Sequence, residues 1–416
     1  MPMPDNRPKI AVIGSGISGI ASAYLLDKRY DVTLYESGDY LGGHTNTITV
    51  TDGAHFVPID TGFIVFNKQN YPLLTQFLDQ LSIDYTASDM AFGFHDSVRS
   101  FWYSSDRPWG IFSQKKNIIS PRYWQFLADI RRFNQHVRAD LNTGVLDTQA
   151  LGEYIATLPV SQLLKDAYLL PMGAAIWSCP IEQILAFPAK AFFEFWNNHD
   201  LLTLGKRPQW QTISGGAKQY ITAFLSRFSG SVHISTPVRA VQRSPRHCTV
   251  YTESGAHDFD YCIIATHADQ ALNLLQRPTN REKRLLSPWQ YSTNTAYLHQ
   301  DKRFMPPKRS AWASWLVQKN HNSMAMTYYM NRLQPLHTKQ DYFVTLTPDP
   351  VTTTPVIKTA VYTHPVFTAA ACETQSELAT LNSGSVRFCG SYFGYGFHED
   401  GIRSAVATCR DLGCTL

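Results

Sequence analysis

The segment Ile10-Ala-Val-Ile-Gly14-Ser15-Gly16-Ile-Ser18-Gly19 spaces three glycines as GxGxxG. Backbone N–H groups in such a turn, backed by the positive end of a helix dipole, bind the oxygens of a pyrophosphate. Gly14 permits the tight turn, Gly16 lets the backbone approach the phosphates, and Gly19 lets a helix pack on a strand. Glu36 follows at the distance, roughly 20 residues, at which a carboxylate accepts hydrogen bonds from an adenosine ribose. A glycine pair, Gly42-Gly43, comes next and is followed by His44. The chemistry implied is dinucleotide binding.

The elements that must position these residues are legible around them. Lys9–Ile13 is a short apolar run, expected to be a strand. From Ile17 the pattern is helical, with Ile20 stacked below Tyr24 and Ala21 below Leu25. Val32 and Leu34 alternate with polar residues before Glu36, which predicts a second strand and so a βαβ unit. Residues 71–200 are expected to be largely helical, interrupted by Pro108, Pro121, Pro159, Pro171 and Pro180. Ser214-Gly215-Gly216 breaks the chain before an amphipathic helix carrying Ile221, Phe224, Leu225 and Phe228. Strand signals follow at Val232/Ile234, Val238–Val241 and Thr249–Thr252. The apolar run Tyr261–Ala265 is expected to be a buried strand, and Ala268, Ala271, Leu272 and Leu275 mark a helix. Residues 291–366 are strand-rich. Arg387-Phe-Cys-Gly390 is expected to be a strand entering a glycine turn, and a final helix carries Ile402, Ala405, Val406 and Cys409 in register.

Taken together, Val-Ile-Gly14-x-Gly16-x-x-Gly19, Glu36 and Leu41-Gly42-Gly43-His44 resemble the FAD-binding fingerprint of the flavin amine oxidase and phytoene desaturase superfamily. Val238-Arg-Ala-Val-Gln with Asp260-Tyr-Cys-Ile-Ile-Ala265-Thr266 resembles that superfamily's second FAD segment. Gly390-Ser391 and Gly401-Ile402-Arg-Ser-Ala405 resemble its C-terminal FAD motif. The strings Pro171-Met-Gly-Ala-Ala-Ile-Trp-Ser178, Arg207-Pro-Gln-Trp210, Tyr362-Thr-His364-Pro365 and Gly396-Phe-His398-Glu-Asp-Gly401 resemble a narrower bacterial branch of predicted NAD/FAD-binding oxidoreductases. That branch is often associated with cyclopropane fatty-acyl phospholipid synthases.

The resemblance implies FAD as cofactor. It implies an α/β fold, an FAD-binding Rossmann-like domain of amine-oxidase type with a second sheet-plus-helix substrate domain. The expected division is 1–66, 206–275 and 384–416 for FAD, and 67–205 and 276–383 for substrate. The implied cofactor contacts are Gly14, Ser15, Gly16, Ser18, Gly19, Glu36, Ser37, Gly42, Gly43, His44, Thr61, Gly62, Phe63, Val238, Thr266, Gly390, Ser391, His398, Asp400, Gly401 and Ile402. Asp60-Thr61-Gly62-Phe63 is expected to pass beneath the flavin. The turn at His398-Glu399-Asp400 is expected to aim helix N–H groups at the pyrimidine edge, where negative charge gathers on reduction. The competing reading makes Glu399 and Asp400 ordinary first-turn acids.

His398 and His44 are the candidate catalytic residues; His364 and His267 are expected to be structural. Trp177, Trp196, Trp210 and Tyr392 are candidates to line a cavity, with core packing as the alternative. Two departures from the superfamily stand out. Ser391 replaces the usual acid of the C-terminal motif. No counterpart of the lysine that amine oxidases place near flavin N5 is identifiable, although Lys302 and Lys308 lie in the right half of the chain.

Composition narrows the alternatives. The net charge is +4 with no dense Lys/Arg stripe, which excludes nucleic acid as the expected partner. Lys115, Lys116, Arg122, Arg131 and Arg132 interleave with Tyr123, Trp124 and Phe126; this stretch suits either a solvated helix or a peripheral contact with anionic lipid. Seven scattered cysteines without metal spacing point to reduced thiols, a cytoplasmic chain and no bound metal. No run approaches the roughly 18 apolar residues of a membrane span, and no G-x-S-x-G or H-E-x-x-H motif occurs. The function expected is an FAD-dependent oxidoreductase removing hydride from an apolar substrate, such as a fatty acyl chain of a membrane lipid. The alternatives are a flavin amine oxidase, or a flavoprotein partner of a lipid-modifying enzyme with little turnover of its own.

Overall fold

The computed structural model describes residues 7–203, 208–245, 247–320, 324–346 and 355–416. A parallel sheet holds, in order, the strands Ser231–His233, Asp31–Tyr35, Lys9–Ile13, Tyr261–Ile264 and Val386–Phe388. These strands come from three widely separated stretches of chain. Side chains alternate across the sheet. Ile10, Val12, Val32, Leu34 and Ile263 enter one hydrophobic cluster. Ala11, Ile13, Tyr35, Cys262, Ile264, Val386 and Phe388 enter the other. Both faces are therefore covered, which is why these strands read as nearly continuous apolar runs.

The helices Ile17–Leu26 and His398–Arg410 share the first cluster, through Ile20, Ala21 and Ala23 on one and Ile402, Ala405, Val406 and Cys409 on the other. They approach closely at Gly401, where a Cβ would stand 2.8 Å from Ile17 Cγ2 and 2.8 Å from Ser18 Oγ.

A second, seven-stranded sheet runs in the order Lys358–Val366, Gln290–His299, Phe343–Leu346, Met324–Tyr329, Trp315–Lys319, Phe92–Asp96 and Phe101–Ser104. Its pairings are antiparallel except for Trp315–Lys319 against Phe92–Asp96. The register sets Phe92 opposite Trp315 and Trp315 opposite Tyr328, so three aromatic residues form a row across adjacent strands.

The stretch 71–200 is largely helical, as expected. The strands Tyr85–Ala87, Phe92–Asp96 and Phe101–Ser104 interrupt it after the helix Pro72–Gln80. Aromatic side chains favour a pleated, half-buried surface, and Phe92, Phe94, Phe101 and Tyr103 supply them here. One expected proline break is a helix start: Pro121 opens the helix Pro121–Asp140, where Ser120 Oγ accepts from Tyr123 N. Pro171 instead lies inside a continuous helical run, Gln162–Trp177, just after its π-helical stretch Lys165–Leu169. Among the described residues, no helix is long and apolar enough to cross a membrane, and no His/Cys/Asp/Glu group could hold a metal ion.

Candidate functional site

The glycine turn and Glu36 are knitted together. Gly14 adopts φ +96° and its N–H donates to Tyr35 O at 2.8 Å. Ser15 donates to Glu36 Oε2 from its backbone N–H at 2.9 Å and from its hydroxyl at 2.6 Å; the Gly38 N–H donates to Oε1 at 2.7 Å. The glycine pair folds back onto the same turn, with Gly42 N–H donating to Ser15 O at 3.1 Å. A Cβ on Gly43 would lie 3.3 Å from Gly16 Cα, and one on Gly19 would fall 1.8 Å from Gly14 O.

Gly16 is different. Its backbone (φ −63°, ψ 179°) suits any residue, and a Cβ there would meet no heavy atom within 4 Å. Nothing among the described residues explains its lack of a side chain. It caps the helix Ile17–Leu26 without any side-chain partner, so the first-turn N–H groups have no intrahelical acceptor. Space, bare donors and a positive dipole end coincide, as a diphosphate requires.

These residues open onto a cavity of about 410 Å³. Gly14, Ser15, Gly16, Ser18, Glu36 and Ser37 line one end. Gly42, Gly43, His44, Gly62, Phe63, Thr266, Gly390, Ser391 and His398 line its middle. Six of the residues anticipated at the cofactor are not among its lining residues. Gly19 and Gly401 act through close packing. Ile402 is buried in one hydrophobic cluster, and Val238, partly buried, packs against the other. Thr61 is buried, its hydroxyl 3.0 Å from Asn46 O and 2.6 Å from Tyr362 Oη.

Asp400 caps its own helix, accepting from Phe397 N–H at 3.1 Å, and pairs with Arg403 at 3.0 Å. Glu399 reaches the helix Pro72–Gln80 and accepts from the N–H groups of Leu73 and Leu74 at 3.2 and 3.0 Å. Asp400 thus acts as a first-turn acid of its own helix, whereas Glu399 caps a different one.

The cavity gathers histidines whose sequence positions give no sign of proximity. His44, His267, His364 and His398 all line it, with His199 further along. His44 stacks on Tyr362 at 5.1 Å between centroids and meets His364 edge-on at 5.0 Å. His267 stacks on Tyr291 at 4.2 Å. His398 stacks on Phe63 at 3.8 Å, with Nε2 3.2 Å from Thr45 Oγ1.

Burial depresses every one of these imidazoles. His398 falls to about 3 and His364 to about 4. His44 is lowered first by burial and then by its histidine neighbours, and burial also lowers His267 and His199. Neutral rings with such depressed values are poor proton acceptors. They suit polar contact with an uncharged or anionic group. His44 Nε2 is buried without a protein partner, so one polar atom in the middle of the cavity is left for a ligand.

Beyond the histidines the walls turn apolar. Ile64, Val65, Met90, Phe92, Met172, Ile176, Leu201, Trp315 and Tyr328 line this part. Trp210 and Tyr392 also line the cavity, whereas Trp177 and Trp196 are packed in the core. Among the described lining residues the only carboxylate is Glu36, at the opposite end, and no lysine or arginine occurs. Lys302 pairs with Asp341 at 3.0 Å, and neither it nor Lys308 lines the cavity. Of the Arg207–Trp210 string, Arg207 lies outside the described residues. Cys389, beside the C-terminal turn, is fully buried, and burial pushes its thiol up to about 12, so it carries no thiolate at neutral pH.

Residues 17–323 match the family described as flavin-containing amine oxidoreductase. The chain belongs to this family. A Mycobacterium tuberculosis protein named as the flavin-containing monoamine oxidase AofH is 23% identical over 266 residues, covering 62% of this chain and 56% of that protein. The chain thus spans about half the length of the curated relative. The structure of cyclohexylamine oxidase from Brevibacterium oxydans superposes with a TM-score of 0.71 at 13% identity, covering 98% of this chain and 100% of that one. A CLA-producing fatty acid isomerase from P. acnes gives a TM-score of 0.65 at 13% identity, covering 99% and 98%. These superpositions establish the FAD-binding amine oxidase fold.

The cofactor of this family of oxidoreductases is a flavin, FAD in this fold. The present residues fit it: bare helix N–H groups and an open Gly16 for the diphosphate, Glu36 for the ribose, and the orphaned His44 Nε2 with Ser391 further along. Sequence reasoning missed His267 and His364 as cavity residues, and missed Met90, Phe92, Trp315 and Tyr328 altogether. The only advance signals were the position of His267 just after Thr266 and the Tyr362-Thr-His364-Pro365 string.

Proposed function

We propose that this flavin amine oxidoreductase relative is an FAD-dependent oxidoreductase that withdraws hydride from an apolar substrate, a fatty acyl chain of a membrane lipid. The observation that carries this reading is the uncharged wall beyond the histidines, from Ile64 and Met90 to Trp315 and Tyr328. A long apolar chain loses no solvation there, whereas a protonated amine would find no carboxylate among the described lining residues. Bound FAD supplies the hydride acceptor. The chain's own residues do the rest. Phe92, Trp315 and Tyr328 hold the acyl chain on a rigid sheet, the neutral histidines keep the middle of the cavity polar without adding charge, and the buried walls exclude water. An allylic or similarly activated carbon is the position from which hydride is withdrawn, since unactivated C–H bonds are much harder to break. The likeness to a fatty acid isomerase supports an acyl substrate.

Amine oxidation is the second reading. It is favoured by the family match and by the likeness to cyclohexylamine oxidase. Anaerobic bleaching of the flavin's visible band separates the two. Phospholipids bearing unsaturated chains, dispersed in detergent, are expected to bleach it, and a panel of amines is not. Bleaching by an amine alone would overturn the acyl reading. Bleaching by neither would favour a flavoprotein partner of a lipid-modifying enzyme.

A further inference from the structure

Five of the twelve large apolar side chains exposed among the described residues fall within 98–124: Val98, Trp109, Ile118, Ile119 and Trp124. Trp109 is 77% exposed and Ile119 85%. The segments that carry them are joined by short-range bonds. The hairpin turn carrying Val98 is tied to the following segment by Gln114 Nε2 and Lys116 Nζ, which donate to Ser100 O at 2.7 and 3.1 Å. Trp124 Nε1–H donates to Ile118 O at 2.8 Å, and its ring lies 5.5 Å from Phe112.

The charge around this surface is mainly basic. Arg99, Lys115, Lys116 and Arg122 are exposed, and Arg99 lies 3.9 Å from both Asp96 and Asp166, so Lys115, Lys116 and Arg122 carry the excess charge. The one acid between Ser97 and Ala128, Asp106, is turned toward Arg332 at 2.8 Å. The surface also adjoins the cavity. Ser105 exchanges hydrogen bonds with Phe92, N–H to O at 2.7 Å and N–H to Oγ at 2.9 Å, and Phe92 lines the cavity wall. Trp109 stands only four residues beyond Ser105.

We infer that this surface is a membrane-docking face: Trp109, Ile118, Ile119 and Trp124 enter the interface of a bilayer while Arg99, Lys115, Lys116 and Arg122 meet anionic headgroups. Tryptophans at headgroup level and apolar side chains in the acyl boundary, ringed by basic residues, are the arrangement that such binding uses. An anionic lipid surface is the occupant favoured over a protein partner because Lys115, Lys116 and Arg122 stand among the apolar tips while the acid of the same stretch, Asp106, is paired with Arg332. Docking here would hold the bilayer against the segment that is bonded to the Phe92 wall of the cavity, and the purpose of the face rests on the acyl-substrate reading. Its occurrence does not depend on turnover.

The test is sedimentation of the FAD-loaded full chain with vesicles of phosphatidylcholine alone and of phosphatidylcholine mixed in equal parts with phosphatidylglycerol. Binding to the anionic vesicles only is expected. Lys115→Gln with Arg122→Gln should weaken it about thirtyfold, since each basic residue near an anionic surface contributes on the order of 1 kcal/mol. Trp109→Ser with Ile119→Ser should weaken it about tenfold or more. All four positions are exposed, so flavin content and thermal unfolding should match the parent and show that the variants are folded. Failure to bind anionic vesicles overturns the inference, as does equal binding by the parent and both variants. A chain that instead self-associates through Trp109 and Ile119 overturns it in favour of a second copy. Vesicle binding without flavin bleaching by lipid would leave the docking face standing and remove the acyl-substrate reading. Bleaching by detergent-dispersed lipid without vesicle binding would do the reverse.

Discussion

Substituting Gly16 and Gly19 separately should divide cofactor affinity from folding. At Gly16 the backbone is already in an ordinary region, and a new Cβ meets no protein atom within 4 Å. Gly16→Ala should therefore change the stability of the flavin-free chain by about 1 kcal/mol at most. The poorer helix cap and the less flexible unfolded chain act in opposite directions. The methyl group projects into the space that the diphosphate needs, in front of the bare N–H groups of the helix. Charge-assisted hydrogen bonds of this kind are worth roughly 1.5–3 kcal/mol each. Disturbing one predicts FAD binding weaker by about ten- to a hundredfold.

Gly19→Ala is the contrast. Its Cβ would fall 1.8 Å from Gly14 O, a backbone atom that cannot swing away. Strain of about 3 kcal/mol or more should appear in the flavin-free chain. The assay is thermal unfolding of both apoproteins, followed by FAD titration monitored through quenching of flavin fluorescence. If Gly16→Ala destabilises the apoprotein as much as Gly19→Ala, or binds FAD with parental affinity, then the open space at Gly16 is not a phosphate cradle.

The depressed imidazoles predict acid sensitivity. His364, held near 4, and His398, held near 3, stay neutral in the folded chain, whereas an unfolded histidine takes up a proton below about 6.5. The unfolded state then binds more protons, so stability is complete above that value and lost as pH falls toward the folded values. At about pH 5 the loss is about 2 kcal/mol per histidine. Denaturant unfolding at neutral pH and at about pH 5 should show a smaller loss for His364→Asn than for the parent; an equal loss would clear His364 of that role. Glu399→Ala removes the acceptor for Leu73 and Leu74 N–H; it should lower stability by about 1–2 kcal/mol while FAD titration is unchanged. Trp315→Ala strips one apolar wall from the cavity; it should raise KM for the substrate about tenfold with a smaller change in kcat, and a loss confined to kcat would contradict its binding role.

The parallel sheet and the glycine turn were legible because their constraints are local. Gly14, Gly16, Gly19 and Glu36 sit at fixed offsets within one βαβ unit, and strands buried on both faces advertise themselves as apolar runs. The hairpin Phe92–Ser104 was hidden because its aromatic residues serve a sheet completed by residues far away in sequence, from 290 to 366. The histidine cluster was hidden for a similar reason. His44, His267, His364 and His398 arrive on four separate elements, and no spacing connects them. The roles of Glu399 and Asp400 depended on which N–H groups they face, and only tertiary placement brings Leu73 and Leu74 to Glu399.

The order of strands in the parallel sheet has a consequence for biosynthesis. The central strand Lys9–Ile13 is made first, but one neighbour, Tyr261–Ile264, and the edge strand Val386–Phe388 follow hundreds of residues later. The helix His398–Arg410, which seats on Ile17 and Ser18, comes later still. Pairings of such long sequence separation form slowly and only after their loops close. During translation the emerging chain must therefore hold Ile10, Val12, Val32 and Leu34 without their final cover, a state open to aggregation and chaperone capture. The cavity is complete only once residues as far as His398 have been made, and FAD supplied then should raise the yield of folded chain through preferential binding to the native state.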